Sequence, residues 1–144
     1  SMQNSSPYFV AQALKRHTRH TEFDVSNLQK LPRVDINYTT LGSDGVLVDA
    51  AVAAGAKGIV NAGVGHANMP DVTMQSLKAA QQKGVAIVVG SRAMSGIVTP
   101  TGQFAEAGFV TSMMHTTQKA RILLMLGLTR TNDPKELQRI FEQY

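Results

Sequence analysis

The stretch Gly58-Ile-Val-Asn-Ala-Gly-Val-Gly-His-Ala-Asn68 constrains this chain more than any other. A short apolar run (Ile59, Val60) gives way to Gly63 and Gly65, and polar His66 and Asn68 follow just before Pro70-Asp71. That order predicts a buried strand, a tight turn whose glycines allow positive φ, and then a helix start. In an open parallel sheet the loops at the carboxyl ends of the strands form the ligand crevice. A small-molecule ligand of this chain is therefore expected at this turn.

The flanking sequence repeats the same rhythm. Val34, Ile36 and Tyr38 alternate as a strand, and Ser43 is placed to cap a helix with Leu47, Ala50, Ala51 and Ala54 inward, stopped by Gly55. After the central strand, Pro70-Asp71 opens a helix with Met74, Leu77 and Ala80 inward, ended by Gly84. Val85 to Val89 is a continuous apolar run, as in a strand covered on both faces. Residues 91–107 read as a long surface loop, and Gly108 to Ser112 as a fourth strand. Gln118 to Thr131 is the most apolar helix, expected to pack on several sides. Asp133-Pro134-Lys135-Glu136 has the form of a capping box opening a last helix with Leu137, Ile140, Phe141 and Tyr144 inward. Strands and helices alternating over short links predict a parallel sheet with right-handed crossovers.

The first 32 residues break this pattern. Residues 1–6 are polar, Pro7 to Leu14 suggest a strand with poor alternation, and residues 15–32 are polar and irregular. The division is an N-terminal arm and linker over 1–32, with Ser1-Met2 read as the leftover of an expression tag, and an α/β domain over 33–144.

Composition narrows the functional classes. A hydrophobic fraction of 43% with 17% charged residues is globular and far from the disordered regime. With no cysteine there is neither a disulfide framework nor a thiolate metal site. The net charge of +4 is spread thinly, and its densest cluster, Lys15-Arg16-His17-Thr18-Arg19-His20, lacks the repeated aromatics of a nucleic-acid surface. No apolar run approaches the ~20 residues of a membrane span. Neither a nucleic acid nor a membrane is an expected partner.

Catalytic motifs are missing too. Gly63-Val-Gly65 resembles part of a dinucleotide fingerprint, but Asn68 stands where the third glycine belongs, and no acidic residue ends the next strand at Val89-Gly90-Ser91. His17 and His20 have metal-ligand spacing only if they lie on a helix with further ligands nearby. His66 falls in the expected crevice, as a site residue or as an ordinary loop histidine. There is no Gly-x-Ser-x-Gly elbow. The residues alone predict a place for a ligand without a catalytic machine, and no metal or cofactor.

Several segments nonetheless carry a resemblance. Leu31-Pro-Arg-Val-Asp-Ile, Gly58 to Asn68, Gly90-Ser91-Arg92, Gly108-Phe-Val, Gln118-Lys-Ala-Arg-Ile-Leu-Leu and the ending through Phe141-Glu-Gln-Tyr144 resemble, in order, the C-terminal half of bacterial type II L-asparaginases. The likeness runs from roughly Phe9 to Tyr144 and extends to the glutaminase-asparaginases. It implies a flavodoxin-like three-layer α/β domain with a four-stranded parallel sheet, from a periplasmic, homotetrameric amidohydrolase that turns L-asparagine into aspartate and ammonia. The nucleophilic threonines of that family belong to the N-terminal domain, and no Thr-Gly-Gly-Thr or Thr-Asp-Thr is present here. The resemblance implies that this domain alone is inactive and completes a neighbouring subunit's active site. Asn68 matches the family's substrate-shell Asn. The family's Glu has no clean counterpart in Ile97 to Glu106, where Gln103 or Glu106 is the nearest replacement. The expected substrate-binding set is Asn68, His66 and Gln103, with L-asparagine or L-glutamine as substrate and the family's N-terminal domain as partner. The alternative is a stand-alone module binding an amino acid or nucleotide on the same scaffold.

Overall fold

The computed structural model describes residues 2–3, 6–7, 15–93 and 95–144. Two short strands, β1 (Met2–Gln3) and β2 (Ser6–Pro7), form an antiparallel pair. Most of the strand expected over Pro7 to Leu14 lies outside the described residues. The body of the domain is a sheet of β3 (Val34–Tyr38), β4 (Gly58–Gly63), β5 (Ala86–Ser91) and β6 (Val110–Thr111). All pairings in it are parallel and the spatial order is β3-β4-β5-β6.

Consecutive order decides where the helices go. Right-handed crossovers between successive neighbours all pass over one face of a sheet. Here α1 (Val46–Ala53), α2 (Asp71–Gln82) and the short α3 (Gln103–Glu106) supply one core, packing Val48, Met74, Leu77 and Phe104 on Ile59, Ile87 and Val89. The opposite face is covered only after the last strand, by α4 (Thr117–Gly127) and α5 (Pro134–Gln143). There Leu124, Leu137, Ile140 and Phe141 pack on Val34, Val60, Val88 and Val110. The period-2 alternation of β4 and β5 thus feeds two cores, giving the three-layer α/β domain with a four-stranded parallel sheet that the family resemblance implies. Each fully buried Leu, Ile or Phe contributes roughly 1.5–3 kcal/mol.

Several local expectations are corrected. Val48 is the one buried side chain of α1, while Leu47 is 65% exposed. Three apolar residues in a row, Val46 to Val48, leave the inward face undefined by periodicity; contact with α2 selects it, where a Cβ on Gly45 would run into Ser76. Ser43 accepts the Thr40 N–H at 2.7 Å and so closes a turn, and Asp44 takes the Val46 N–H instead. The 91–107 loop contains α3 and buries Phe104 and Val98. On β3, Ile36 and Tyr38 face outward because α4 covers only the start of that strand, where Arg121 Nε donates to the Val34 carbonyl at 2.7 Å. α4 is buried along Ala120, Leu123, Leu124 and Gly127, with Ile122 exposed. Asp133 caps α5 through the Lys135 N–H, but Glu136 turns to Arg139 and leaves the Asp133 N–H to Thr131 Oγ1.

The 15–32 segment is irregular yet firmly tied to α5. Arg16 N–H donates to Gln143 O at 3.1 Å, and Glu22 N–H donates to the Tyr144 hydroxyl at 2.7 Å. The Glu22 carboxylate lies 2.8 Å from Arg139 and 3.8 Å from Arg130, and Phe23 packs on Tyr144. The hydrogen bond from Arg139 is the main reason the Glu22 carboxyl sits below its ordinary range, against an opposing effect of burial.

Candidate functional site

The carboxyl end of β4 breaks into the turn that the glycines predicted. Val64 and Asn68 exchange both backbone hydrogen bonds at 2.8 Å, closing a loop of three residues. Gly65 (φ 56°) and Ala67 (φ 63°) are both left-handed, and for Ala67 that conformation costs roughly 1–2 kcal/mol. Gly63 makes the closure possible, since a Cβ there would lie 2.4 Å from the Ala67 carbonyl. Strain of this kind is a pointer to a functional loop when the surroundings over-determine it. The backbone of Asn68 is fully committed to the turn, and its exposed side chain alone is left to meet a ligand.

Beneath the turn lies a buried polar network that the sequence reading missed. Asn61 is fully buried; its Oδ1 accepts from Asn37 Nδ2 at 2.7 Å and from Thr39 Oγ1 at 3.2 Å. Its Nδ2 faces Met69 Sδ at 3.5 Å, next to Asn68. Two asparagines inside strands, at Asn37 and Asn61, were the available signal, because buried amides persist only when partnered. Arg92 fixes this corner: its backbone N–H donates to Gly63 O at 2.8 Å and its Nη1 to Thr39 O at 2.9 Å. Its guanidinium lies over the Tyr38 ring at 6.0 Å. The groove of about 330 Å³ between these parts is lined by Thr39, Leu41, Val64, Asn68, Met69 and Arg92, among others.

The three expected site residues separate. Asn68 lines this groove. His66 is turned to the loop after β5, where Nε2 accepts the Thr99 N–H at 3.1 Å and lies 3.2 Å from Thr99 Oγ1, with Phe104 stacked beside the ring. Its acceptor nitrogen is thereby occupied in joining two loops. Gln103 and Glu106 line a different groove, shared with Lys78, Gln81 and Gln82. The structure does not bring Gln103 to the Asn68 groove.

A larger cavity, about 570 Å³, is at the other end of the strands, lined by Leu28, Leu31, Pro32, Lys57, Gly84 and Leu128 among others. Its polar lining residues, Lys30, Lys57, Thr129 and Asn132, are exposed or half-buried. Among the described residues no three His, Asp or Glu side chains converge as metal ligands, and no helix is long and apolar enough to cross a membrane.

A consecutive four-stranded parallel sheet between two helical layers, with a strained glycine turn over a buried amide network, defines a three-layer α/β domain. Residues 33–141 match the glutaminase/asparaginase C-terminal domain family. L-asparaginase 2 of Bacillus subtilis is 45% identical over 137 residues, covering 95% of this chain and 36% of that protein. A probable periplasmic L-asparaginase of Haemophilus influenzae is 36% identical, covering 99% of the chain and 42% of the relative. Glutaminase-asparaginase of Acinetobacter glutaminasificans is 34% identical, covering 100% and 45%. The chain belongs to the glutaminase/asparaginase C-terminal domain family. It spans less than half the length of these relatives.

Proposed function

We propose that this domain is the C-terminal part of an amidohydrolase acting on L-asparagine, with L-glutamine as a second substrate. It completes an active site whose nucleophile lies in a partner domain, and it has no hydrolytic activity by itself. The observation that carries the reading is the coincidence of the family match over 33–141 with an exposed Asn68 on a rigid turn at the carboxyl edge. An amide so placed offers a donor and an acceptor to the amino and carboxylate ends of an amino acid. Arg92, in the same groove, adds positive charge on the carboxylate side. Gln103 lacks such support because it lines another groove. His66 acts by holding the turn to the Thr99 loop.

The partner is an N-terminal asparaginase domain, docking on the exposed Ile36, Tyr38, Leu41 and Val64 at this edge, within a homo-oligomer. A periplasmic location for the whole protein follows the name of the Haemophilus influenzae relative.

The test is ammonia release from L-asparagine and L-glutamine, by this chain alone and mixed with the N-terminal half of a type II asparaginase. Silence alone and activity in the mixture is the expected result; turnover by the chain alone overturns it. In the mixture, Asn68→Ala lowers kcat/KM for L-asparagine at least about tenfold, the loss of one charge-assisted hydrogen bond. Its unfolding free energy stays within about 0.5 kcal/mol of the parent, since the side chain is exposed.

A further inference from the structure

A single ring nitrogen joins two loops at the carboxyl edge. His66 Nε2 takes the backbone N–H of Thr99 at 3.1 Å and lies 3.2 Å from the Thr99 hydroxyl. A backbone N–H can only donate, so Nε2 is unprotonated and the neutral ring carries its hydrogen on Nδ1. Phe104, buried in the core below, stacks beside the ring with centroids 6.4 Å apart and sets its orientation. The charged groups on the neighbouring elements are Asp71 at the start of α2, Arg92 after β5 and Glu106 on α3. None of them forms an ion pair with His66 among the described residues.

Both partners of this bond belong to segments with little other support. His66 is the middle residue of the loop closed by Val64 and Asn68, between the left-handed Gly65 and Ala67. On the facing side, Val98 is buried and bridged to Met113, and Phe104 is buried in α3. Residues 99–102 form the exposed or half-buried turn between those two anchors. Among the described residues, the bond from Thr99 to His66 is the one backbone hydrogen bond tying that turn to the loop after β4.

We propose that His66 is a pH-sensitive latch between the Asn68 turn and the 99–102 turn, closed when the imidazole is neutral and open when it is charged. A proton taken from solvent by Nε2 places a hydrogen where the Thr99 N–H already points, so donor faces donor. The Thr99 hydroxyl can rotate and accept from the charged ring. The backbone N–H has no such freedom, and it regains a partner only when residues 99–102 move off the ring and let water in. The latch rests on this geometry alone. Its hold on substrate binding rests on the amidohydrolase reading, because Asn68 is two residues from His66.

The experiment follows the purified chain by NMR from about pH 8 to pH 5, the range in which histidine ordinarily changes charge. The Thr99 amide is expected to titrate with the same midpoint as the His66 ring, and its hydrogen exchange, corrected for intrinsic pH dependence, to rise about fivefold in the charged form, the equivalent of one neutral hydrogen bond. His66 is exposed, so its variants should fold. His66→Gln offers a carbonyl acceptor at every pH and is expected to hold the Thr99 amide in its high-pH position throughout. His66→Phe keeps a ring beside Phe104 without an acceptor and is expected to show the open position throughout. A Thr99 amide that does not follow the His66 ring, or that still moves in His66→Gln, overturns the latch. In the mixture with the N-terminal half, the ratio of the parent KM for L-asparagine to that of His66→Gln is expected to rise about fivefold on acidification. A flat ratio overturns the hold on substrate. A mixture without turnover, beside a Thr99 amide that follows His66, supports the latch and counts against the amidohydrolase reading.

Discussion

The two ends of the sheet differ in what they offer. The amino end has the larger opening, about 570 Å³, lined by Leu28, Leu31, Leu128 and the exposed Lys30 and Lys57. The carboxyl end has a groove of about 330 Å³, with Asn61, Asn37 and Thr39 buried beneath it and a left-handed Ala67 above. Volume alone would choose the first end. Buried polar groups and backbone strain, which a fold holds only against a cost, choose the second. Parallel strands deliver the loops after β3, β4 and β5 to one edge, so side chains far apart in sequence meet there. Because the strand order is consecutive, no reversal of winding opens this crevice. The turn closed by Val64 and Asn68 shapes it instead.

Paired glycine substitutions give the sharpest test of that contrast. Gly63→Ala drives a Cβ into the Ala67 backbone and should cost about 3 kcal/mol in urea unfolding. Gly84→Ala, at the amino end with open space around it, pays only for its left-handed backbone, about 1–2 kcal/mol. Equal costs would break the comparison. Next in size, Asn61→Leu leaves the Asn37 amide and the Thr39 hydroxyl without their acceptor and should destabilise by about 2 kcal/mol. Adding Asn37→Leu should recover part of that loss, and a double-mutant cycle reads the coupling.

A smaller effect, on the order of 0.5–1 kcal/mol at neutral pH, is expected for Glu22→Gln, which loosens the linker from Arg139 and Arg130. The Glu22 carboxyl titrates below its ordinary value of 4.5 in the folded chain, chiefly through the Arg139 hydrogen bond. Its contribution is therefore complete above that value and is lost as pH falls through the lowered folded-state pKa. The stability gap between the parent and Glu22→Gln should hold steady from pH 7 to about 5 and close below 4.5. A gap that widens on acidification would contradict the pairing. Smallest of all, Lys57→Ala at the large amino-end cleft should stay within about 0.5 kcal/mol and leave activity with the N-terminal half unchanged.

Much of this architecture is legible in the chain itself. Ile59-Val60 and Val85 to Val89 are buried on both faces, and such runs announce central parallel strands. Met74, Leu77 and Ala80 follow the helical period and are buried as expected. The α1 stripe was not legible, because an alanine-rich helix offers several equivalent faces and contact with α2 chooses among them. The turn at Gly63 to Asn68 was visible as a turn, but the amide network supporting it was not. Asn61 is polar within an apolar run, and its partners Asn37 and Thr39 lie 24 and 22 positions away in sequence. The separation of Gln103 from Asn68 depends on how the 97–102 loop returns to the sheet. Val98 bridges Met113 there, and α3 presents Gln103 to the groove beside α2.

One contact at the rim of the sheet bears on how copies of this domain behave when crowded. The Gln138 carboxamide accepts the outward N–H of Thr111 at 2.8 Å and sits where a further strand would lie along β6. At the other rim, Arg121 occupies the Val34 carbonyl. Each border strand thus has one outward backbone group taken by a side chain, which interrupts the row of free groups that edge-to-edge pairing would use. Gln138→Ala would leave the N–H of the fully buried Thr111 without its acceptor, so this glutamine both completes the bonding of β6 and closes its edge.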